Sequence, residues 1–508
     1  MAAYQFPSLR RDGLTLILGL GETGVAAAHW CASQGVGLRV ADTRLAPSGL
    51  SDVQRLGIEA DFQLGPDALQ DAVLEEVVAL VLSPGLNPHT EPLSSLLATA
   101  RSRGVEVLGE IELFARALND LKTQGYAPAV LAITGTNGKT TVTSLVRHLA
   151  EGCGRSVRAA GNISPAALAS LQDALQADDL PEVWVLELSS FQLESVFSLA
   201  ADAAVVLNVT QDHLDWHGSM AAYAAAKARL LGMSRVRVVN RADAVVRAMV
   251  ADLAAAEVRS FGLDTPELEG DLGLWSRHGL DWLATVTPTA LEGGMPASRR
   301  KSNVPVINSR PNGAAQALMP VDALQIRGRH NALNAQAALA LGAAAGWDWA
   351  GMLHALRSYR GEAHRTEFIQ AIAGVDFIDD SKGTNVGATL AALQGLGQPV
   401  VLIAGGLGKG QDFSPLLPAV QAHARAVLLI GQDGPLIRQA LAASEVPLRS
   451  CSSLEDAVRQ GLDLAQPGDA VLLSPACASM DMFRNYAHRS ACFVEAVREL
   501  AADRGEVS

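Results

Sequence analysis

AVLAITGTNGKTT, residues 129–141, decides the fold class of this 508-residue chain. A short β-prone run, AVLAIT, enters a glycine-containing turn, and a helix-like stretch follows, which is the strand–loop–helix order of a mononucleotide-binding fold. Gly135 and Gly138 free backbone amides to surround phosphates, Lys139 can reach the terminal phosphates, and Thr140 can place a hydroxyl on Mg²⁺. The loop is a shortened variant of the Walker pattern, because Ile133 stands where its first glycine would. The competing reading is a coincidental Gly-Lys-Thr turn.

The same order recurs on both sides of this stretch. Upstream, LTLILGLGETG (14–24) begins a βαβ unit whose second strand, GLRVAD, ends at Asp42, and strand-like runs follow at 77–82 and 105–108. Next to the phosphate loop come VWVLELSS (183–190), AAVVLNVT (203–210) and VRVVN (236–240). Downstream, VDFIDDSKGTN (375–385), VVLIAGGLGKG (400–410), AVLLIG (426–431) and AVLLSPACAS (470–479) form a last α/β unit. The chain is therefore read as α/β in three domains, at 1–117, 118–360 and 361–508. The segment 287–320, rich in Pro, Gly, Ser and Asn and without apolar periodicity, is read as a mobile surface insertion. Its Arg299-Arg300-Lys301 cluster is read as solvated loop charge.

Bulk properties narrow the classes. A length of 508 residues exceeds what one core serves, and 49% hydrophobic with only 5% aromatic residues suits packed Ala/Leu/Val-rich helices and sheets. Forty basic against fifty-three acidic residues give a net charge of -13, which argues against a nucleic-acid partner. The five cysteines form no Cys-x-x-Cys pair, so neither a zinc knuckle nor a disulfide framework is expected. No apolar leader region and no uninterrupted apolar run near the roughly 18 residues of a membrane span are found, so a cytoplasmic protein without membrane insertion is expected.

The remaining motifs are weaker one by one. GLGETG (Gly19, Gly21, Gly24) between strand and helix, with Asp42 closing the next strand, serves NAD, FAD, a uridine diphosphate or a purely structural turn alike. Glu187 ends an apolar strand, where a carboxylate can hold Mg²⁺ facing the phosphate loop or simply cap and pair. In isolation His213 and Lys227 read as a surface histidine and a helix-face lysine. Asp380, Lys382, Thr384, Lys409 and Ser479 all lie in turns after strands, where open α/β sheets bind ligands, and two such lysines beside hydroxyls suit a substrate bearing carboxylates.

Taken in order, the motifs resemble the Mur ligase family from about residue 12 to 495. GTNGKTT, GNISPAAL (161–168), ELSSFQLE (187–194), NVTQDHLD (208–215), the AAK ending at Lys227, HNALNA (330–335), the His364-Arg365 pair, DDSKGTN and LSPACASMDMF (473–483) carry the resemblance. It implies an N-terminal Rossmann-like UDP-binding domain, a central P-loop-type ATPase and a C-terminal Rossmann-like domain that closes over the site. By similarity, Gly135, Thr136, Asn137, Gly138, Lys139, Thr140, Thr141, Asn331, Asn334, Arg365 and Asp380 bind ATP. Gly19, Gly21, Glu22, Thr23, Thr43, Arg44, Gly85, Asn162 and Ser189 face a UDP-linked muramoyl substrate. Thr140 and Glu187 serve one Mg²⁺, and His213 with a carbamylated Lys227 serves a second. Lys139, His213 and Lys227 are the implied catalytic residues. Thr384, Lys409, Ser479 and the backbone of Tyr486, where relatives commonly carry Phe, hold the amino acid.

Among family branches, GEIELFAR (109–116), ELSSFQLE and SPACAS resemble the D-glutamate-adding member, and the Asp-Asn-Pro-Arg motif of the diamino-acid enzymes is absent. The resemblance thus implies a monomer that uses ATP to join D-glutamate to UDP-N-acetylmuramoyl-L-alanine. The chemistry expected is phosphoryl activation of a carboxylate, since hydroxide is a poor leaving group, followed by amine attack on the acyl phosphate. The alternatives are another amino-acid specificity within the family, an oxidoreductase built on GLGETG, or a nucleotide-responsive switch without chemistry.

Overall fold

The computed structural model describes residues 4–250, 257–288, 310, 312–326 and 328–506. The first sheet has strands β1 (Leu14–Leu18), β2 (Leu38–Asp42), β3 (Asp61–Leu64), β4 (Val77–Leu82) and β5 (Glu106–Leu108), all parallel in the order β3-β2-β1-β4-β5. Helices cover both faces, which is why β1 and β4 are near-continuous apolar runs and do not alternate. The strand order reverses at β1 and β4, so the turns after them, GLGETG and Ser83 to Gly85, flank one crevice.

The second sheet contains β6 (Ala129–Thr134), β7 (Val157–Gly161), β8 (Val183–Glu187), β9 (Ala201–Val206), β10 (Ser234–Asn240) and β11 (Glu257–Phe261), parallel in the order β11-β10-β9-β6-β8-β7. Central β6 delivers the phosphate loop, and its neighbours β8 and β9 deliver Glu187 and the Asn208–His213 loop beside it. Helix Arg329–Ala344, built largely of alanine, packs closely on helix Lys139–Gly152.

A small antiparallel sheet follows, of β12 (Leu272–Arg277), β13 (Leu280–Pro288) and β14 (Gly313–Pro320), with Trp275 opposite Trp282. This corrects the reading of 287–320 as one mobile loop. Residues 313–320 are a strand paired along β13; their composition, small residues and a glutamine with little alternation, hides a strand whose stability comes from cross-strand pairing. Residues 289–309, including the Arg299-Arg300-Lys301 cluster, lie outside the described residues.

The fourth sheet holds β15 (Glu367–Ile372), β16 (Val375–Asp379), β17 (Val400–Gly405), β18 (Ala424–Ile430), β19 (Leu448–Ser450) and β20 (Ala470–Leu473), in the order β15-β16-β20-β17-β18-β19, with only β15 antiparallel. Strands β16, β20 and β17 are adjacent, so DDSKGTN, SPACAS and GGLGKG emerge side by side.

The apolar cores distinguish the joints. One continuous core runs from the first sheet into the second through Trp30, Phe114 and Trp184, the last two edge to face at 5.1 Å. Such an aromatic pair adds about 0.5–1.5 kcal/mol to its area burial. The fourth sheet has separate cores on its two faces, and among the described residues no apolar cluster joins it to the second sheet.

Glu110 is sealed into the first of these cores. Its Oε1 accepts the Leu168 amide at 2.5 Å and its Oε2 has no partner, so burial pushes the carboxyl up to about 7. Because the folded value is raised, the neutral form stabilises the fold fully below the ordinary carboxyl range and that contribution is lost as pH rises through about 7. The gap from 4.5 to about 7 corresponds to about 3 kcal/mol. We therefore expect Glu110→Gln to flatten the fall in unfolding midpoint between about pH 4.5 and 7 relative to the parent. Parallel pH profiles of the two proteins in thermal denaturation would contradict this.

Candidate active site

The phosphate loop is held open by its glycines. Gly138 has φ +85 and a Cβ there would meet Asn334 Oδ1 at 2.7 Å, so only glycine lets helix Lys139–Gly152 begin where it does. Lys139 Nζ donates to the carbonyls of Gly135 and Thr136, both at 2.9 Å, and Lys227 Nζ donates to the same Gly135 oxygen, also at 2.9 Å. Lys227 is only 1% exposed and lies 4.5 Å from the Tyr223 ring centroid. It is therefore a buried neighbour of the loop and not the solvated helix-face lysine of the isolated reading. Burial lowers both lysines and drives Lys227 well below its usual range, with the charge of Lys139 adding to the effect.

Glu187, 2% exposed, accepts from Asn162 Nδ2 at 2.8 Å through one oxygen, while the other is buried with no hydrogen-bond partner. A hard, unpartnered carboxylate oxygen beside a phosphate loop fits Mg²⁺. Thr140 Oγ1 accepts from Arg365 Nη2 at 2.9 Å and Lys382 Nζ at 3.4 Å. His213, in a left-handed backbone conformation, packs edge-on against Phe191 at 4.7 Å. Burial lowers its imidazole to about 4, opposed by Asp212 and reinforced by Lys409, Lys139 and Lys227, so the ring is neutral near pH 7 with a lone pair to offer a metal. His217 braces the same segment, bonded to Ser190 Oγ at 2.9 Å and paired with Glu194 at 3.3 Å.

A cavity of about 190 Å³ opens beside the loop, and Asn137, Gly138, Asn331, Asn334, Arg365 and Asp380 all line it. Residues from the second and fourth sheets thus share one space. Asn334 Nδ2 donates to Asn331 Oδ1 at 3.0 Å. Asp380 accepts from Ser474 Oγ at 2.7 Å, and burial raises its carboxyl to about 7. Arg365 Nε is buried without a partner, an arrangement suited to a phosphate oxygen.

At the first sheet, Gly24 packs so tightly on the turn that a Cβ would lie 2.0 Å from the Gly19 carbonyl oxygen. Gly21 caps helix Glu22–Ser33, placing Glu22 and Thr23 at its amide-rich end. Thr43, Arg44 and Gly85 are exposed around the same edge. Asp42 is not free to bind a ribose: it accepts the amides of Leu20 and Arg44 and pairs with the Arg44 guanidinium through both oxygens at 2.8 and 2.7 Å. Glu22 Oε1 accepts from Ser164 Oγ at 2.7 Å, which joins the GLGETG helix to the loop of Asn162. Ser189 forms a capping box with Gln192, so its side chain orders helix Ser190–Leu193.

Lys409 follows β17 and buried Ser479 follows β20; reciprocal amide–carbonyl bonds between Leu407 and Ala478, both 2.9 Å, hold the two loops together. Thr384 lies after β16, and Tyr486 opens helix Tyr486–Asp503, where first-turn amides favour an anion. Arg489, 1% exposed, donates to the carbonyls of Cys477 and Ser381 and braces these loops from below. Arg489 and Gln411 escape the sequence reading, and Asp212 and Asn385 stand in NVTQDHLD and DDSKGTN without a role of their own, since nothing in their local spacing marks one.

Three family descriptions match successive parts of the chain: the Mur ligase MurD-like N-terminal domain over residues 14–109, the Mur ligase middle domain over 133–342 and the Mur ligase glutamate ligase domain over 364–477. The chain is 61% identical over 498 residues to a UDP-N-acetylmuramoylalanine–D-glutamate ligase of Bordetella avium, covering 97% of both. It is 54% identical over 502 residues to the protein of that name from Burkholderia thailandensis, covering 98% of this chain and 99% of the other. Among solved structures it resembles UDP-N-acetylmuramate-alanine ligase of Thermotoga maritima (TM-score 0.54, 19% identity, 96% and 99% coverage). It also resembles the MurF ligase of that organism in complex with ADP (TM-score 0.55, 16% identity, 85% and 91% coverage). At these identities the structures speak to the fold alone.

Removing the loop ammonium should be felt by a nucleotide. A charge-assisted phosphate contact is worth about 1.5–3 kcal/mol, or roughly 10- to 150-fold. Lys139→Ala is expected to weaken MgADP binding by at least that lower factor in calorimetry, and an unchanged Kd would remove Lys139 from the phosphate site.

Proposed function

The chain belongs to the Mur ligase family, and on that premise we propose that it joins D-glutamate to UDP-N-acetylmuramoyl-L-alanine in peptidoglycan precursor synthesis, converting ATP to ADP and phosphate. The observation that carries this reading is the 61% identity, over nearly the whole of both chains, to a relative named for that reaction. The geometry agrees in kind: the phosphate loop, Arg365 and the DDSKGTN loop with its buried Asp380 carboxyl face one space, and the SPACAS and GGLGKG loops follow strands next to it in the sheet.

The residues support a division of labour. The GLGETG helix end and the Asn162 loop take the UDP-linked substrate, bringing the L-alanyl carboxylate toward the phosphate loop. That carboxylate and the ATP γ-phosphate repel, and loop amides, Lys139 and Arg365 offset the repulsion while the carboxylate attacks phosphorus and ADP leaves. When bound, Mg²⁺ supplies further charge neutralisation; Thr140 and Glu187 are the oxygen donors for one ion, and neutral His213 with Lys227 for a second. Lys409, Thr384, Ser479 and the Tyr486 amide hold the D-glutamate carboxylates so that its amine meets the acyl carbon, forming the amide as phosphate departs. Exclusion of water by the C-terminal loops protects the acyl phosphate. The domains are taken as 1–117, 118–360 and 361–508, acting as a cytoplasmic monomer. Among the described residues no helix is long and apolar enough to cross a membrane.

Lys227 acts here as its carbamate. Two ammonium groups on one carbonyl oxygen repel, and a cation is a poor metal ligand, whereas a carbamate is an anionic oxygen donor that would pair with Lys139. An oxidoreductase reading is disfavoured because Asp42, the carboxylate it needs, is occupied by Arg44.

Phosphate release measured with UDP-N-acetylmuramoyl-L-alanine against a panel of amino acids is expected to be stoichiometric with D-glutamate and at background with L-glutamate or diaminopimelate. Equal turnover with L-alanine or a diamino acid would move the chain to another branch. Lys227→Ala should be inactive and partly rescued by acetate; full activity without added acid would sink the carbamate.

A further inference from the structure

The units of the second and fourth sheets are joined by side-chain hydrogen bonds as well as by the close packing of Gly395 on Gly328 and His330, and one of those bonds is reciprocal. Asn385 Nδ2 donates to Asn137 Oδ1 at 3.0 Å while Asn137 Nδ2 donates back to Asn385 Oδ1 at 3.2 Å. Asn385 Nδ2 also reaches Asp212 Oδ2 at 3.2 Å, next to His213. One side chain from the C-terminal unit therefore touches the middle of the phosphate loop and the residue before the histidine. Asn385 itself is 4% exposed, while Asn137 also lines the cavity beside the loop.

The other side of Asn385 leads to the amino-acid loops. Its Oδ1 caps helix Val386–Gly395 by accepting the Ala388 amide at 2.9 Å. The Val386 amide donates to Gln411 Oε1 at 3.0 Å, and Gln411 Nε2 donates to the carbonyls of Gly408 and Ala476 at 3.0 and 2.9 Å. Gly408 precedes Lys409, and Ala476 lies in the SPACAS loop. The close approach is built into the sequence at Gly387, where a Cβ would sit 2.9 Å from Thr210 Oγ1 and 3.1 Å from Asn137 Nδ2.

We propose that Asn385 is a positioning residue that latches the C-terminal unit onto the phosphate loop, so that Lys409 and the SPACAS loop reach the reacting carboxyl only when Asn137 is held in register. An uncharged amide pair suits this role. Unlike an ion pair, it has little attraction at a distance and forms only when both units are correctly oriented. The inference rests on the ligase reading above.

The test is a double-mutant cycle of Asn137→Ala and Asn385→Ser, with kcat and KM measured for all three substrates. Serine keeps the helix cap and loses the reach to Asn137 and Asp212. Asn385→Ser is expected to lower kcat about tenfold or more and raise KM for D-glutamate several-fold, with KM for the UDP-linked substrate within twofold. The double variant should be no worse than Asn137→Ala by more than about threefold, because one contact is lost in both. Gly387→Ala, whose Cβ would press first on Thr210 and Asn137 and wedge the units apart while leaving the Asn385 amide in place, should reproduce the kcat loss. Parental kcat in Asn385→Ser, losses that multiply in the double variant, or an equal rise in all three KM values would overturn the latch. A parent that releases no phosphate with D-glutamate would instead overturn the ligase reading. In that case the latch is read from X-ray scattering with MgADP: compaction of the parent absent from Asn385→Ser supports it, and equal compaction rejects it.

Discussion

Lys139 and Lys227 both donate to the carbonyl oxygen of Gly135, and much of the architecture answers the charge they crowd together. Around them stand Arg365 and Lys382, both bonded to Thr140, and against them Glu187 and Asp212, with Glu362 and Asp380, whose carboxyl burial raises to about 7, beside Arg365. In a site this buried, such crowding of positive charge is costly unless anions enter. Polyphosphate and carboxylate substrates are anions of that kind, so the same crowding favours their binding and holds two mutually repelling reactants together.

Precision of this kind needs a stiff base. The first two units share one apolar core, with Phe114 on Trp184 and Glu112 accepting the amides of Phe197 and Ser198 across the joint, so the UDP-type crevice and the phosphate loop keep a fixed relation. The C-terminal unit has its own cores and meets the phosphate loop through hydrogen-bonding side chains and the close approach of Gly387. Burying apolar surface would make that joint permanent; polar contacts can be exchanged for water at small net cost, which suits a unit that must admit and release ligands.

Several residues gained meaning only from their partners. Asp42 ends a strand exactly where a dinucleotide-binding carboxylate would, yet Arg44, two residues on, folds back and occupies it. Ser189 reads as a substrate contact by similarity, and in the fold its hydroxyl also caps a helix with Gln192. Glu110 and Glu112, quoted only as part of a family-like stretch, turn out to be acceptors for backbone amides about 60 and 85 residues away, fastening the first two units.

The sequence by itself determined what is local: strand–turn–helix order, glycines where a Cβ would strike backbone, and the lysine and hydroxyl that follow them, since phosphate binding depends on consecutive amides and on residues within one helical turn. The α/β class and the three successive units follow from the same periodicity. Strand β14 was illegible because runs of small residues carry almost no alternation, and its identity depends on β13 lying alongside. Only the tertiary structure decided that Lys227 is buried on the loop carbonyl, 92 residues from it in sequence, and that Asn385 grips Asn137 across 248. Such contacts leave no trace in spacing, because folding, and not chain neighbourhood, brings the partners together.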